Sequence, residues 1–371
     1  MSQGATAGID YSGTEPFFGE IRDADGHTYP DPELFLRDAD ADYLGEFGTD
    51  FLRKFAASEQ FKSDRDRNRV FLWETKGIGA LGAYDPEERV DAFDRMGVKS
   101  QLLFFAGGND AAVAFQRRTN GRARACVRVD MTEVEASCRE LDRCIKAGAA
   151  HVNLPCAQPP GGVSPAHEMW DPFWARCQEA NLAVTLHLAC SGFLAGAAPL
   201  FPDRAWGDAA TLRGRPAERA GGEEATSPWF MMIAHMGAET YLQAMVMGGV
   251  FERFPRLRFG IIELGAKWVG PCVERMDLWT DVMAKIGRAL PMKPSEYVMR
   301  NVRVTPYWHE NLALMVQRYG LGDVYVFSTD YPHLEGSRDP IGKFRKWLSQ
   351  LPADYARKFM VENGKLLLPE L

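Results

Sequence analysis

Near its end the chain reads Val324-Tyr-Val-Phe-Ser-Thr-Asp-Tyr-Pro-His-Leu-Glu-Gly336, an apolar β-type run that leads directly into Asp330. A strand with a carboxylate at its exit is typical of the mouth of a barrel enzyme. Asp25 and His27 are two residues apart on an extended segment and therefore share a face. His187 lies within another β-type run. If these strands close into one barrel, their carboxylates and imidazoles converge, and that donor set suits Zn²⁺ or a similar divalent ion.

Short apolar or β-branched runs recur along the chain and alternate with helical patterns, for example at 86–96, 134–147 and 172–180. This alternation predicts parallel βαβ units. We expect eight units to close into an α/β fold, a (β/α)₈ TIM-type barrel, with the carboxyl ends of all strands at one mouth. Besides the Asp25 segment, the predicted strands are 101–105, 123–129, 151–154, 183–188, 257–264, 302–307 and 324–328.

The length of 371 residues and the hydrophobic content of 46% predict a single elaborated barrel domain over residues 1–371. Two stretches exceed an ordinary connection: 30–82 after the first strand, and 191–230 after the fifth. We expect both to be insertions near the barrel mouth. An active-site lid is one interpretation of them, and a surface elaboration or subunit contact is the other.

The composition indicates which kinds of partner and which location to expect. A net charge of −7 offers no basic surface for nucleic acid, so a small-molecule substrate is expected. Since no apolar run approaches about 20 residues and the start lacks a signal-peptide pattern, we predict no membrane span and a cytoplasmic protein. Seven scattered cysteines without a CxxC pair argue against a disulfide framework and a thiolate site. Methionines and phenylalanines within 231–259 predict helix packing and a homodimer or higher homo-oligomer.

The motifs together resemble one family, the amidohydrolase-related proteins, a branch of the amidohydrolase superfamily that includes nonoxidative decarboxylases of aromatic and unsaturated acids. The resemblance covers most of the chain and implies a metal-dependent barrel enzyme. It is carried, in this order, by Asp23-Ala-Asp-Gly-His27, Trp170-Asp-Pro-Phe-Trp174, Val184-Thr-Leu-His187, the glycine and Phe-Pro elements within 248–259, Glu263-Leu-Gly265 and Ser328-Thr-Asp-Tyr-Pro-His333.

The resemblance implies a ligand set, carried over position by position. The first-strand pair falls on Asp25 and His27, the fifth-strand imidazole on His187 and the last-strand carboxylate on Asp330. Binuclear relatives bridge two metals with a lysine on the fourth strand, and the matching segment, 150–154, has none. We therefore expect one divalent metal ion, with Zn²⁺ first and Mn²⁺ or Fe²⁺ compatible.

The chain departs from the decarboxylases where their sixth strand ends in a proton-transferring histidine, since Glu263 occupies that place. Glu263 is expected to move a proton, to orient a metal-bound water or to anchor substrate; a structural salt bridge is the alternative. His235 is a second candidate catalytic imidazole, and Asp330 a candidate base. Trp308 and His309, at the exit of the seventh strand, are candidates for substrate binding, or pack at the rim.

Three functions stay open at this point. The favoured one is nonoxidative decarboxylation of an aromatic or unsaturated carboxylic acid, and the alternative is hydrolysis of an amide, ester or C–C bond by metal-bound hydroxide. Release of carbon dioxide from hydroxybenzoates and related acids distinguishes the two. A barrel that has lost catalysis and binds a ligand or partner is the third, and it predicts that no metal is present.

Overall fold

The computed structural model describes residues 15–29, 33, 36, 50–105, 108–156, 159–188, 204–212, 228–284, 290–333 and 336–370. It is an α/β fold whose sheet runs in sequence order through seven strands. Four of the pairings, β1–β2, β2–β3, β5–β6 and β6–β7, are parallel. The strands are β1 (Ile21–Asp23), β2 (Val98–Leu103), β3 (Ala123–Arg128), β4 (His151–Leu154), β5 (Ala183–His187), β6 (Arg258–Ile262) and β7 (Val302–Val304).

Helices follow most of the strands, as expected for βαβ units. In the described residues they are α1 (Glu59–Lys76), α2 (Pro86–Met96), α3 (Asn109–Arg118), α4 (Val134–Ala147), α5 (Asp171–Glu179), α6 (Pro228–Ile233), α7 (Met236–Met247), α8 (Val250–Arg253), α9 (Val269–Met283), α10 (Pro294–Asn301), α11 (Leu312–Tyr319), α12 (Pro340–Leu348) and α13 (Tyr355–Arg357).

The chain forms two compact units. The first comprises the described residues of Met1–Val127, Cys144–His151 and Phe327–Leu371, and the second those of Arg128–Arg143 and Val152–Val326. In the first unit β1 pairs with β2 and β2 with β3. In the second β5 pairs with β6 and β6 with β7. The single barrel domain over residues 1–371 stays a prediction.

Strand composition explains why the sheet forms. All residues of β5 and β6 are buried, which is typical of parallel strands that are covered on both faces. The strands also set the places of the polar side chains. His187 is the last residue of β5 and pairs with Ile262, so that Glu263 follows at the exit of β6. In the first unit, isolated bridges from Gly26 to Tyr331 and from His27 to Phe104 extend the pairing beyond β1.

The eighth predicted strand, 324–328, is not confirmed. In the described residues Tyr325 forms an isolated bridge with Val304, flanked by hydrogen bonds from Val304 N to Val324 O (2.9 Å) and from Val326 N to Val304 O (3.1 Å). The partner strand β7 ends at Val304, and Pro306, two residues on, has no N–H to donate to a longer ladder.

The predicted insertions are described only in part. Of 30–82, the described portion contains α1 and the turn Gly77–Ala80. Most of 191–230 lies outside the described residues. Their position at a barrel mouth therefore stays a prediction. No helix within the described residues is both long and apolar enough to span a membrane. The cytoplasmic location and the homo-oligomer also stay predictions.

Candidate metal centre

Four donor side chains meet in the first unit, just beyond β1 and after the apolar run that ends at Asp330. His27 Nε2 lies 3.1 Å from Asp25 Oδ1 and 3.3 Å from Asp330 Oδ1. His333 Nδ1 lies 3.3 Å from the same Asp330 oxygen. The imidazole rings of His27 and His333 stack with centroids 3.7 Å apart. The first-strand pair and the Asp330 carboxylate, predicted from sequence to converge, are thus in contact.

The charges in this cluster are strongly coupled. Burial alone would raise the pKa of Asp330, but hydrogen bonds from His27 and His333, together with their charges, outweigh it and lower the pKa well below its usual range. Burial and the charge of His333 oppose protonation of His27, yet the carboxylates of Asp25 and Asp330 outweigh them and raise its pKa. The two carboxylates therefore favour a positive charge between them.

His333 also belongs to this cluster, although it is not among the ligands that the family resemblance implies. The ligand atoms of His27, Asp330 and His333 all lie within 4.8 Å of one another. The signal that could have found it is the spacing, since His333 follows Asp330 by three residues in an irregular segment. That spacing allows both side chains to turn toward the same point.

The second unit contains a pair of buried donor side chains, a histidine and a glutamate. His187 Nε2 lies 2.8 Å from Glu263 Oε2, and each residue is only 6% exposed. His187 Nδ1 lies 2.5 Å from Leu188 O. A backbone carbonyl at Nδ1 places the ring proton there and leaves the lone pair of Nε2 to bind an ion, which is the usual arrangement of a metal-binding histidine.

Two of the buried carboxylate residues have left-handed backbones, with φ of 58° at Glu263, which follows β6, and 52° at Asp330. Such a conformation is unfavourable for a residue with a β-carbon and persists where surrounding contacts hold it. At Glu263 those contacts are visible. Its N–H donates to Thr305 Oγ1 (2.9 Å), and its carbonyl accepts from Tyr307 Oη (2.7 Å). The backbone thus turns to aim the carboxylate at the strand exit.

The remaining predicted site residues also lie in the second unit. His235 immediately precedes α7 and stacks on Trp268 with centroids 5.9 Å apart. Its Nε2 lies 3.8 Å from Glu239 Oε2, and burial lowers its pKa. Beyond the exit of β7, the His309 ring packs against the rings of Tyr307 and Trp308, with centroids 5.3 Å and 5.4 Å away. His309 is exposed and Trp308 half-buried, so both are accessible to a small molecule.

The donor chemistry of both groups fits a divalent cation. Buried carboxylate oxygens and imidazole nitrogens at 2.8 to 3.3 Å from one another are the ligand types of Zn²⁺ and Mn²⁺. In the absence of an ion, protons between such atoms offset the repulsion of the carboxylates. Metal binding releases such protons. A cluster that favours positive charge therefore suits a metal ion.

Solved structures of other proteins share the fold. An amidohydrolase from Mycobacterium avium subsp. paratuberculosis K-10 has a TM-score of 0.64 at 21% identity, over 94% of this chain and 99% of that one. The 5-carboxyvanillate decarboxylase of Sphingomonas paucimobilis has a TM-score of 0.56 at 15% identity, over 94% and 98%. A dihydroxybenzoic acid decarboxylase from Polaromonas sp. JS666, with bound manganese and the inhibitor 2-nitroresorcinol, has a TM-score of 0.53 at 16% identity, over 94% and 96%.

The comparison with protein families covers nearly the whole chain. The amidohydrolase model Amidohydro_2 matches residues 23–369. The match begins at Asp23 and includes both donor groups, with their aspartates, glutamate and histidines. The fold, the donor set and this match agree, and the chain belongs to the amidohydrolase family.

Proposed function

We propose that the protein is a metal-dependent carboxy-lyase that removes carbon dioxide nonoxidatively from an aromatic or unsaturated carboxylic acid. The observation that carries the proposal is the cluster in which Asp330 Oδ1 faces both His27 Nε2 and His333 Nδ1 at 3.3 Å. Two decarboxylases of aromatic acids share the fold. Because superfamily membership does not fix chemistry, the proposal rests on the site, and release of carbon dioxide is its test.

One divalent ion, Zn²⁺ or Mn²⁺, is proposed to be held by Asp25, His27, His187 and Asp330. His333 is an additional donor beside Asp330. Two carboxylates and two imidazoles neutralise a divalent charge, and carboxylates suit Mn²⁺ while imidazoles suit Zn²⁺. When bound, the ion supplies Lewis-acid polarisation of a substrate oxygen.

The chain's own residues then have to manage one proton. Decarboxylation adds a proton to the carbon that carries the carboxylate; the C–C bond breaks, its electron pair stays with that carbon's π system, and carbon dioxide leaves. Glu263 is the proposed donor, because its Oε2 lies 2.8 Å from a proposed ligand atom, His187 Nε2. His235 is the alternative donor, because burial lowers the pKa of its imidazolium and so makes the protonated ring a stronger acid.

Substrate contacts are proposed at the exit of β7. Trp308 and His309 present a half-buried and an exposed ring there, and Tyr307 links them to Glu263 through the hydrogen bond to its carbonyl. Aromatic rings packed edge to face, such as Trp308 and His309, offer flat apolar surface to an aromatic acid. We therefore propose that these two side chains orient the substrate ring.

Hydrolysis of an amide, ester or C–C bond is the second candidate. The observation that favours it is the identity of Glu263, because a buried carboxylate next to a ligand histidine is suited to accept a proton from water. In that reaction Glu263 or Asp330 would act as general base. The products differ from those of decarboxylation, since no carbon dioxide forms.

The test is direct. Purified protein, loaded separately with Zn²⁺ and Mn²⁺, is incubated with a panel of hydroxybenzoates and related unsaturated acids, and carbon dioxide and the aromatic product are measured together. Equal amounts of both products, absent with Asp330→Asn, support decarboxylation. A new carboxylic acid from amide or ester substrates without carbon dioxide would assign hydrolysis. Lack of bound metal in active wild-type protein would remove the proposal.

A further inference from the structure

A chain of buried polar side chains lies behind the donor cluster of the first unit. Arg89 on α2, Gln101 on β2 and Asp23 on β1 are each 0% exposed. Arg89 Nη1 donates to Gln101 Oε1 (2.6 Å), and Gln101 Nε2 donates to Asp23 Oδ2 (2.6 Å). A guanidinium only donates and a carboxylate only accepts, so the amide between them has one allowed orientation.

The Asp23 end of this chain contacts the segments that carry the proposed ligands. Asp23 Oδ1 accepts from Asp25 N (3.2 Å) and from Thr329 N (2.8 Å), and Oδ2 accepts from Thr329 Oγ1 (2.6 Å). Thr329 directly precedes Asp330. One carboxylate therefore fixes the backbone at Asp25 and next to Asp330. These bonds join segments that are about three hundred residues apart in sequence, as the separation of 306 between Asp23 and Thr329 shows.

The Arg89 end contacts the same two segments from the other side. Its Nη2 donates to His27 O, and its guanidinium lies over the Tyr331 ring at 4.2 Å from the centroid. Tyr331 directly follows Asp330. Arg89 Nε also donates to Gly82 O (2.9 Å), and this hydrogen bond holds the guanidinium in place. Asp23 and Arg89 thus contact the residues on either side of Asp330. They also contact both ends of the segment from Asp25 to His27.

Gly26 shows how closely the Gln101 amide approaches the segment that carries two of the proposed ligands. A β-carbon at Gly26 would lie 2.1 Å from Gln101 Cδ. No real β-carbon is found at that distance from a carbon atom, so the amide passes over the backbone between Asp25 and His27 only because residue 26 is glycine. The sequence Asp25-Gly26-His27 thus has a steric reason that does not depend on the side chains of the two donors.

We infer that Arg89, Gln101 and Asp23 form a positioning relay that holds His27 and Asp330 at the separation a metal ion requires. This role rests on the proposed metal site. Groups that orient metal ligands from behind typically change metal affinity by about 10- to 100-fold when they are removed. The relay touches no substrate in this assignment, and its effect passes through the ligands.

The test measures Mn²⁺ binding to metal-free protein by electron paramagnetic resonance of free and bound Mn²⁺, with thermal unfolding measured in parallel. Gln101→Met keeps the size of the side chain and removes both of its hydrogen bonds. Arg89→Lys keeps the positive charge and removes the planar guanidinium that donates to several acceptors at once. For both variants we expect the dissociation constant to rise about 10-fold or more, with an altered spectrum of the bound ion.

Arg22→Met is the matched control. Arg22 is also buried in the first unit, at 2% exposed, but its guanidinium contacts Leu368 O and Glu370 rather than the ligand segments. We expect it to lower the melting temperature and leave Mn²⁺ affinity within about twofold of wild type. Equal affinity losses in Arg22→Met and Gln101→Met would overturn the relay, because general destabilisation would then explain both.

Two further outcomes separate this inference from the proposed function. If wild-type protein binds Mn²⁺ and both relay variants bind it equally well, the relay is overturned while the metal site stands. If wild-type protein binds neither Mn²⁺ nor Zn²⁺, the metal site and the relay fall together. Should Gln101→Met fail to fold, Arg89→Lys decides. Gly26→Ala, which displaces Gln101 without removing it, is expected to weaken Mn²⁺ binding in the same direction.

Discussion

His187 Nε2 and Glu263 Oε2 lie 2.8 Å apart at the exits of two adjacent parallel strands, β5 and β6. Register explains the contact, because His187 pairs with Ile262 and Glu263 is the next residue. The carboxylate therefore stands beside the imidazole proposed as a ligand. A side chain at this place can carry a proton to a bound substrate without itself holding the ion, and the two roles predict different effects of substitution.

Glu263→Gln tests the proton role. The amide keeps the shape of the side chain but cannot give up a carboxyl proton, so we expect the turnover number to fall about 10²- to 10⁴-fold while bound metal stays near one ion per chain. Glu252→Gln is the control, since Glu252 is an exposed carboxylate on α8 that accepts from Tyr297 Oη. It should leave turnover unchanged. Loss of metal from Glu263→Gln would reassign Glu263 as a ligand.

His187→Gln tests the ligand role of the imidazole. Because its Nδ1 is engaged by Leu188 O, Nε2 is the atom proposed to bind the ion. We expect metal content measured by inductively coupled plasma mass spectrometry to fall below one tenth of wild type. His151→Gln is a matched control: it is a buried strand histidine whose Nε2 lies 2.7 Å from Leu367 O. It should lose about 1–3 kcal/mol of stability and keep its metal.

Metal removal is expected to lower stability through mass action. A ligand present at about 100 times its dissociation constant stabilises the folded state by about 2.7 kcal/mol. Zn²⁺ or Mn²⁺ added to chelated protein should therefore raise the melting temperature by several degrees. Asp330→Asn removes the carboxylate that both His27 and His333 face, so its melting temperature should not respond to either ion. A response equal to that of wild type would exclude Asp330 from the ligand set.

Elements with local start and stop signals were predictable from sequence. The helix predicted at 86–96 is α2, Pro86–Met96. Asp85 caps it by accepting from Glu87 N and Glu88 N, Pro86 occupies the first turn and Gly97 ends it with φ of 70°. The strand predicted at 302–307 is shorter and ends at Val304. Pro306 is a local signal against a longer ladder, but it does not mark the residue at which pairing stops. A β-type run shows strand preference, whereas its end depends on the neighbour.

In the site, too, some residues could be predicted from the sequence and others could not. Asp25, His27 and Asp330 could be grouped from sequence, because strand exits of parallel units lie at one edge. The place of Gln101 could not, since nothing in its neighbourhood marks an amide that joins Arg89 to Asp23 across the sheet. Such contacts depend on residues that are remote in sequence. Patterns of hydrophobicity carry no information about them.

The backbone at Glu263 yields a prediction about stability that is independent of the reaction. With φ of 58°, a residue with a β-carbon is strained there by about 1–2 kcal/mol, and glycine is not. Both Glu263→Ala and Glu263→Gly remove the carboxylate, so their difference isolates the backbone. We expect the glycine variant to have the larger free energy of unfolding in urea, by about 1 kcal/mol.

The same pair of substitutions at Glu252 should give the opposite sign. Glu252 lies within the short helix α8, Val250–Arg253, where glycine is less stable than alanine by about 0.5–1 kcal/mol. If alanine is the more stable variant at both positions, the left-handed conformation at Glu263 does not exist in solution. A reversal of sign between the two positions would instead mean that the fold holds Glu263 in a strained backbone conformation, the one in which its carboxylate lies 2.8 Å from His187 Nε2.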